Sequence, residues 1–310
     1  MTAERELSFD SAGNRLVGTL TVPAGPGPHP AALLLPGSGP LNRDGDHRRL
    51  RLGIQRDLAA ALTAAGIATL RHDRRGVGDS AGRFLRTGFH DNVADAQAAL
   101  AALGAADEVD AGKLFLVGHS EGALTATALA ARGVPVAGLV LLAGTGRPGA
   151  EVLRWQAARL LPTLPPPVRL LLRLTRTDLV AKVARNHQKI LASTDDVAWI
   201  GGQRMNAKWM REFLRYDPRP DLARIQAPIL ALTGAKDLQT DPDDLPIIAD
   251  HAGGPVEIQV LPDVTHVLRR QPGPPSLGAY RREVREPVDR SVTEPVIRWL
   301  TARLAELRRV

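Results

Sequence analysis

The sequence predicts an α/β protein with a mostly parallel sheet, and three observations carry that prediction. Short apolar runs alternate with helical segments along most of the chain, a rhythm that requires parallel strands joined by crossover helices. One strand-to-helix junction reads Gly118-His119-Ser120-Glu121-Gly122. The rhythm stops over residues 147–226 and resumes at Pro228, which marks an insertion.

The first element is a hairpin over 5–22. Leu7 and Phe9 alternate with polar neighbours, Ser11-Ala12-Gly13-Asn14 makes the turn, and Leu16, Val17, Leu20 and Val22 return. A Pro/Gly connector follows from Pro23 to Pro30. Ala31-Ala32-Leu33-Leu34-Leu35 is apolar throughout, as a strand buried on both faces requires. It breaks at Pro36-Gly37-Ser38-Gly39-Pro40, a loop whose N–H groups can approach a ligand.

Leu58 to Ala65 predicts a helix closed by Gly66, and Ile67 to Leu70 a buried strand. Past that strand, Gly76, Gly78 and Ala81 match a dinucleotide fingerprint in form. Arg83-Phe84-Leu85-Arg86-Thr87-Gly88 starts a helix poorly, and this is not the first turn of the sheet, so the match is rejected. A helix over Asp91 to Leu103, a strand over Lys113 to Val117, a helix over Gly122 to Ala131 and a strand over Val136 to Ala143 follow.

Residues 147–226 show helical patterns and no convincing strand, broken by prolines at 162, 165, 166 and 167. Arg169, Arg173 and Arg176 share one face, and Leu170, Leu171 and Leu174 another. Trp155, Leu160, Leu161, Leu164, Leu172 and Val180 add apolar surface that needs cover. The expected organisation is a core over 1–146, a helical insertion over 147–226 and a second part of the core over 227–310. That second part holds a strand over Pro228 to Thr233, a helix over Leu245 to His251 and a strand over Val256 to Leu261. After a long loop over 271–290, Ser291-Val292-Thr293-Glu294 reads as a capping box, with Pro295 just inside the last helix.

Composition excludes much. The 310 residues include no cysteine, so disulfides and thiolate chemistry are out. Hydrophobic content of 44% suits an ordinary soluble core. The net charge of +7 comes mostly from arginine spread along the chain. No nucleic-acid module and few aromatics accompany it, so no nucleic-acid partner is expected. The charged start, Met1 to Glu6, carries no apolar run, and no stretch matches a membrane span. A cytoplasmic protein without stable membrane insertion is expected. There is no H-E-x-x-H, no other metal spacing and no Walker loop, so no metal or cofactor is expected.

The strand-turn-helix around Ser120 is a way to present a weak nucleophile. Small residues two before and two after let the helix pass close to the strand, and the helix N-terminus favours negative charge. Ser120 needs a base to take its proton, and the base needs a carboxylate to orient it. Functional groups gather at the carboxyl ends of parallel strands. Asp237 and His266 follow the last two predicted strands and complete the order Ser, Asp, His. Asp263 is read as a loop residue, and His119, inside the turn, as pointing elsewhere. The backbone N–H groups of Glu121 and Ser38 are the candidate oxyanion donors. The Glu121 carboxylate then needs a cation nearby, with Arg43 or Arg75 expected from loop position.

These residues resemble the α/β-hydrolase superfamily, and within it a bacterial group of serine esterases often labelled lysophospholipase-like or serine-aminopeptidase-like. The matching pieces are Gly37-Ser38-Gly39-Pro40 with Arg43-Asp44-Gly45, Asp73 with Arg75-Gly76-Val77-Gly78-Asp79-Ser80, the Ser120 turn, Gly234-Ala235-Lys236-Asp237-Leu238-Gln239, and His266. They span nearly the whole chain in order. Ala123 and the Asp263-Val264-Thr265 stretch depart from the usual pattern. The resemblance implies an α/β-hydrolase fold with a mostly parallel eight-stranded sheet flanked by helices and a helical cap after the sixth strand. It also implies a cofactor-free enzyme acting on a small-molecule ester through an acyl-enzyme. Ser120 would be the nucleophile, Asp237 the acid, His266 the base, and Ser38 and Glu121 the oxyanion hole. The alternatives are a peptidase, amidase or thioesterase on the same triad, or a non-catalytic binding member of the fold.

Overall fold

A computed structural model of the chain describes residues 2–160, 167, 174–175, 178–200 and 202–308. β1 (Ala3–Ser11) and β2 (Asn14–Val22) form the expected hairpin. Its turn residues Ala12 and Gly13 have φ of 48° and 74°, the positive pair that matches the twist of two hairpin strands. Then come β3 (His29–Leu35), α1 (Ile54–Ala64), β4 (Ala68–His72), α2 (Phe89–Gly104), β5 (Val109–His119), α3 (Glu121–Ala130) and β6 (Gly138–Leu142).

Next, α4 (Gly149–Leu160) and α5 (Leu179–Ala192) precede β7 (Val197–Ile200) and β8 (Gln203–Asn206), which are followed by α6 (Ala207–Arg215) and α7 (Arg219–Leu222). The chain closes with β9 (Ile229–Gly234), α8 (Asp244–His251), β10 (Val256–Leu261), α9 (Tyr280–Glu283) and α10 (Arg290–Leu307).

Eight strands form one sheet in the order β1-β2-β4-β3-β5-β6-β9-β10. β1–β2 and β2–β4 pair antiparallel, and every later pair is parallel. Successive strand residues face opposite sides, so each strand feeds two cores. Leu33, Leu116 and Leu141 pack with α2 and α3. Leu34, Phe115 and Val140 pack with α1 and α10. The all-apolar runs arise because helices cover both faces.

Two expectations fail. The segment between β6 and β9 is not wholly helical, since β7 and β8 pair as an antiparallel hairpin. Val197-Ala198-Trp199-Ile200 is too short a run for its period to separate strand from helix. The last helix begins earlier than the Ser291 box. Asp289 caps it, accepting the Ser291 N–H at 2.8 Å and its hydroxyl at 2.6 Å. A carboxylate outcompetes a hydroxyl for those donors, and Pro295 therefore lies within the helix. Of the insertion residues singled out above, Arg169, Arg173, Arg176, Leu161, Leu164, Leu170, Leu171 and Leu172 lie outside the described residues, as does the side chain of Val180. Leu174 is exposed, and Trp155 and Leu160 are half-buried.

The strand register sets where the loops meet. Leu35 of β3 lies opposite Gly118 of β5, and Leu261 of β10 opposite Gly234 of β9. The loops after β3, β5, β9 and β10 therefore leave the same edge of the sheet. Asp73, after β4, braces the loop after β3 by accepting the Arg43 N–H at 2.7 Å and bonds from its guanidinium.

Candidate active site

Ser120 is the single residue between β5 and α3, at φ 56° and ψ −119°. A left-handed non-glycine residue costs about 1–3 kcal/mol and persists only where its surroundings hold it. Its N–H donates to the Leu142 carbonyl at 2.8 Å. A Cβ on Gly118 would strike the Gly122 carbonyl, and one on Gly122 would strike the carbonyls of Leu35 and Pro36. The two glycines are what let α3 start so close to β3 and β5.

Ser120 Oγ lies 3.0 Å from His266 Nε2, and His266 Nδ1 lies 2.8 Å from Asp237 Oδ2. Asp237 is buried, and its other oxygen accepts the N–H groups of Gln239 at 2.7 Å and Thr240 at 2.8 Å. A carboxylate on Nδ1 keeps the proton there and leaves Nε2 bare toward the hydroxyl. The loop carrying His266 is pinned by the buried Arg269, which donates to the carbonyls of Leu52 and Val267 and to Asp57.

The backbone N–H of Glu121 lies in the unpaired first turn of α3, and that of Ser38 lies in the glycine-rich loop. Among the described residues, no acceptor takes either N–H. The Glu121 side chain is buried and does not meet Arg43 or Arg75. Arg43 is held by Asp73 and Asp79, and Arg75 by Asp95. The cation beside Glu121 is Arg74, with Nη1 3.2 Å from Oε1. Adjacent residues of an irregular turn point in different directions, and no periodicity told Arg74 from its neighbour. Asp263 sits half-buried on a turn, with Lys236 at 2.6 Å.

Two residues at the site escaped the sequence reading. His119 points back toward the site, not away from it. Its ring lies 5.0 Å from that of His266, and its Nε2 donates to the His266 carbonyl at 2.8 Å. Burial, helped by the charge His266 acquires, pushes the His119 pKa down to about 3, so it stays neutral. The other is Tyr280, buried beside the site at the start of the one-turn helix α9, inside the stretch read from sequence as a long loop. Burial and the charge of Asp237 hold its phenol well above the usual range. No local pattern in that loop distinguishes it.

Three cavities meet around this group. One of about 210 Å³ is lined by Leu41, Leu50, Leu52, Ile54, Val267 and Tyr280, with Ser120 and His266. One of about 80 Å³ brings Val152, Leu153, Trp209 and Phe213 to Ser120 and Glu121. The third, about 360 Å³, continues past Ser38 beneath β8, between Phe84, Leu85, Met205, Trp209 and Met210.

Residues 51–272 match the family described as serine aminopeptidase, S33. The chain belongs to that family. Its serine-hydrolase character follows from this membership. The S33-family chain is also 26% identical, over 301 residues, to Esterase EstD of Thermotoga maritima, a match covering 94% of this chain and 66% of EstD. It thus spans just under two thirds of that relative's length. Est1E from Butyrivibrio proteoclasticus, solved with ferulic acid, is similar in structure at 17% identity and a TM-score of 0.64, covering 96% of this chain and 99% of that one. The α/β hydrolase GrgF from Penicillium sp. sh18 superposes with a TM-score of 0.65 at 18% identity, covering 98% and 99%. These likenesses establish the α/β-hydrolase fold. Among the described residues, no helix is long and apolar enough to cross a membrane.

Proposed function

We propose that this S33-family hydrolase cleaves carboxylic esters through an acyl-enzyme. The observation that carries the reading is the unbroken line from Ser120 Oγ through His266 to Asp237, with steps of 3.0 and 2.8 Å. Ser120 attacks the ester carbonyl while His266 Nε2 takes its proton, and Asp237 stabilises the imidazolium. The N–H groups of Ser38 and Glu121 receive the oxyanion. Collapse expels the alcohol, which His266 protonates. Water, deprotonated by the same nitrogen, then releases the acid. An intact relay with unpaired donors beside it argues against a non-catalytic member of the fold, although fold alone proves no activity.

The family name raises a second reading, cleavage after a free N-terminal amine. Such a substrate needs a carboxylate to receive its ammonium group. Among the described residues lining the three cavities, the one carboxylate is Glu121, already paired with Arg74. That favours a neutral ester, as does the likeness to the esterase EstD. Residues 147–226 act as a cap between core parts 1–146 and 227–310. Val152, Leu153, Trp209 and Phe213 supply its inner face, and short-to-medium acyl chains fit beneath it.

A fluorophosphonate probe should add its mass to Ser120 alone. Matched ester, anilide and thioester substrates should then rank with the ester first. Turnover of the anilide ahead of the ester would move the reading to a peptidase or amidase.

A further inference from the structure

We propose that Arg74 is a positioning residue that ties the two oxyanion donors to each other, an inference that rests on the ester-hydrolase reading above. The donors come from separate loops, Ser38 after β3 and Glu121 after β5. Arg74, from a third loop after β4, reaches both. Its Nη2 donates to the Gly37 carbonyl at 2.8 Å and the Pro36 carbonyl at 3.1 Å. Its Nη1 donates to Glu121 Oε1 at 3.2 Å, which also accepts from Asn92 on α2 at 2.9 Å.

The Gly37 carbonyl and the Ser38 N–H belong to one planar peptide group, so holding the first fixes the direction of the second. A bond to that carbonyl also polarises the same amide and strengthens its N–H as a donor. At the other end, the guanidinium neutralises a carboxylate whose own backbone N–H is the second donor. Both side chains are nearly solvent-free, at 6% and 1% exposure. An unpaired carboxylate there would oppose the charge that develops on the substrate oxygen. The three bonds leave from two nitrogens of one planar fork, whereas a lysine would have to aim all three from a single nitrogen.

The test compares Arg74→Met, Arg74→Lys and Arg74→Met with Glu121→Gln against wild type on one short ester. A trifluoromethyl ketone serves as the oxyanion-forming inhibitor, and circular dichroism checks folding. Arg74→Met should lose about 10²-fold in kcat, the scale of a misplaced oxyanion donor, with KM within about threefold and the inhibitor weakened in parallel. Arg74→Lys, with charge but no fork, should lose about tenfold. Adding Glu121→Gln to Arg74→Met should recover about tenfold, because no lone carboxylate remains.

Native kcat and inhibitor affinity in a folded Arg74→Met, a loss confined to KM, or no recovery in the double variant would each overturn the proposal. If Arg74→Met does not fold, native kcat and inhibitor affinity in Arg74→Lys would overturn it instead. Labelling separates this failure from that of the parent reading. Wild type that does not take the fluorophosphonate at Ser120 defeats the esterase mechanism. Labelled, active wild type with indifferent Arg74 variants defeats only the positioning role.

Discussion

The carboxyl edge of the sheet and the segment between β6 and β9 wall two of the three cavities together, by different means. At the edge, side chains are fixed by short polar bonds, several of them buried: Asp237 by two N–H groups, the His266 loop by Arg269, Glu121 by Arg74 and Asn92. Among the described residues, the other segment lines the site mainly with the apolar side chains of Val152, Leu153, Trp209 and Phe213. Proton transfer needs groups within hydrogen-bond reach, whereas an apolar pocket needs only the right volume. The edge should therefore set rate, and the insertion should set which ester is accepted.

The sharpest break in that division is Ser120→Ala. It should abolish fluorophosphonate labelling and lower kcat by roughly 10⁴-fold or more, since triad members act as a unit. A folded variant with near-native turnover would remove the acyl-enzyme. Next in size is Asp237→Asn. Losing the carboxylate on Nδ1 lets the wrong tautomer form, and kcat should fall by about 10³–10⁴-fold. Asp263→Asn should stay within about twofold, because, among the described residues, the Asp263 carboxylate bonds only Lys236 and Arg270 and touches no member of the Ser120–His266–Asp237 line. The reverse ranking, read from steady-state kcat, would make Asp263 the acid.

Legibility in the sequence follows the same division. The sheet was readable because strands buried on both faces leave continuous apolar runs, as at Ala31 to Leu35, and the elbow because its glycines answer a steric need. Ser120, Asp237 and His266 were singled out by their order and by their positions just past strand ends, and the structure brings their side chains within hydrogen-bond reach. Directions were not readable. His119 was expected to point away and instead braces His266. Arg74 and Arg75 are neighbours in an irregular loop, and backbone torsions alone send one to Glu121 and the other to Asp95. The hairpin of β7 and β8 was missed because four residues carry too little period, and among the described residues the apolar insertion side chains near Ser120 are Val152, Leu153, Trp209 and Phe213, which the sequence reading did not single out.

Trp209 tests the insertion's half of the division. It stacks on Phe213 at 4.9 Å and lines two of the three cavities. Trp209→Ala should leave kcat on an acetate ester within about threefold, since no catalytic group touches it. Across esters of rising acyl length, each methylene that fits adds up to ~0.8 kcal/mol, and removing this wall should flatten the rise in kcat/KM. An unchanged profile in a folded variant would take specificity away from the insertion.

The smallest effect on activity should come from the seam between the two regions, at Asp244. This carboxyl opens α8 and is buried. It accepts a bond from Thr145 at 2.8 Å, and Arg147 Nε, where the insertion begins, lies 3.3 Å away. Burial outweighs both and pushes its pKa up from 3.8 to about 6. Between those values the folded protein keeps a proton that the unfolded chain has lost. The folded state's preference for that proton therefore stabilises it fully below about pH 4, fades as pH rises through about 6, and is absent above. At 1.36 kcal/mol per unit, the span is on the order of 3 kcal/mol. Asp244→Asn removes the titration and can still accept from Thr145, while Arg147 keeps Asp241 at 2.8 Å. The variant's Tm relative to wild type should thus be several degrees more favourable at pH 8 than at pH 4.5, at about 2–4 °C per kcal/mol. Ester turnover at pH 7 should be nearly unchanged. A Tm difference independent of pH would mean that Asp244 titrates as an ordinary carboxylate, and that the seam owes nothing to its burial.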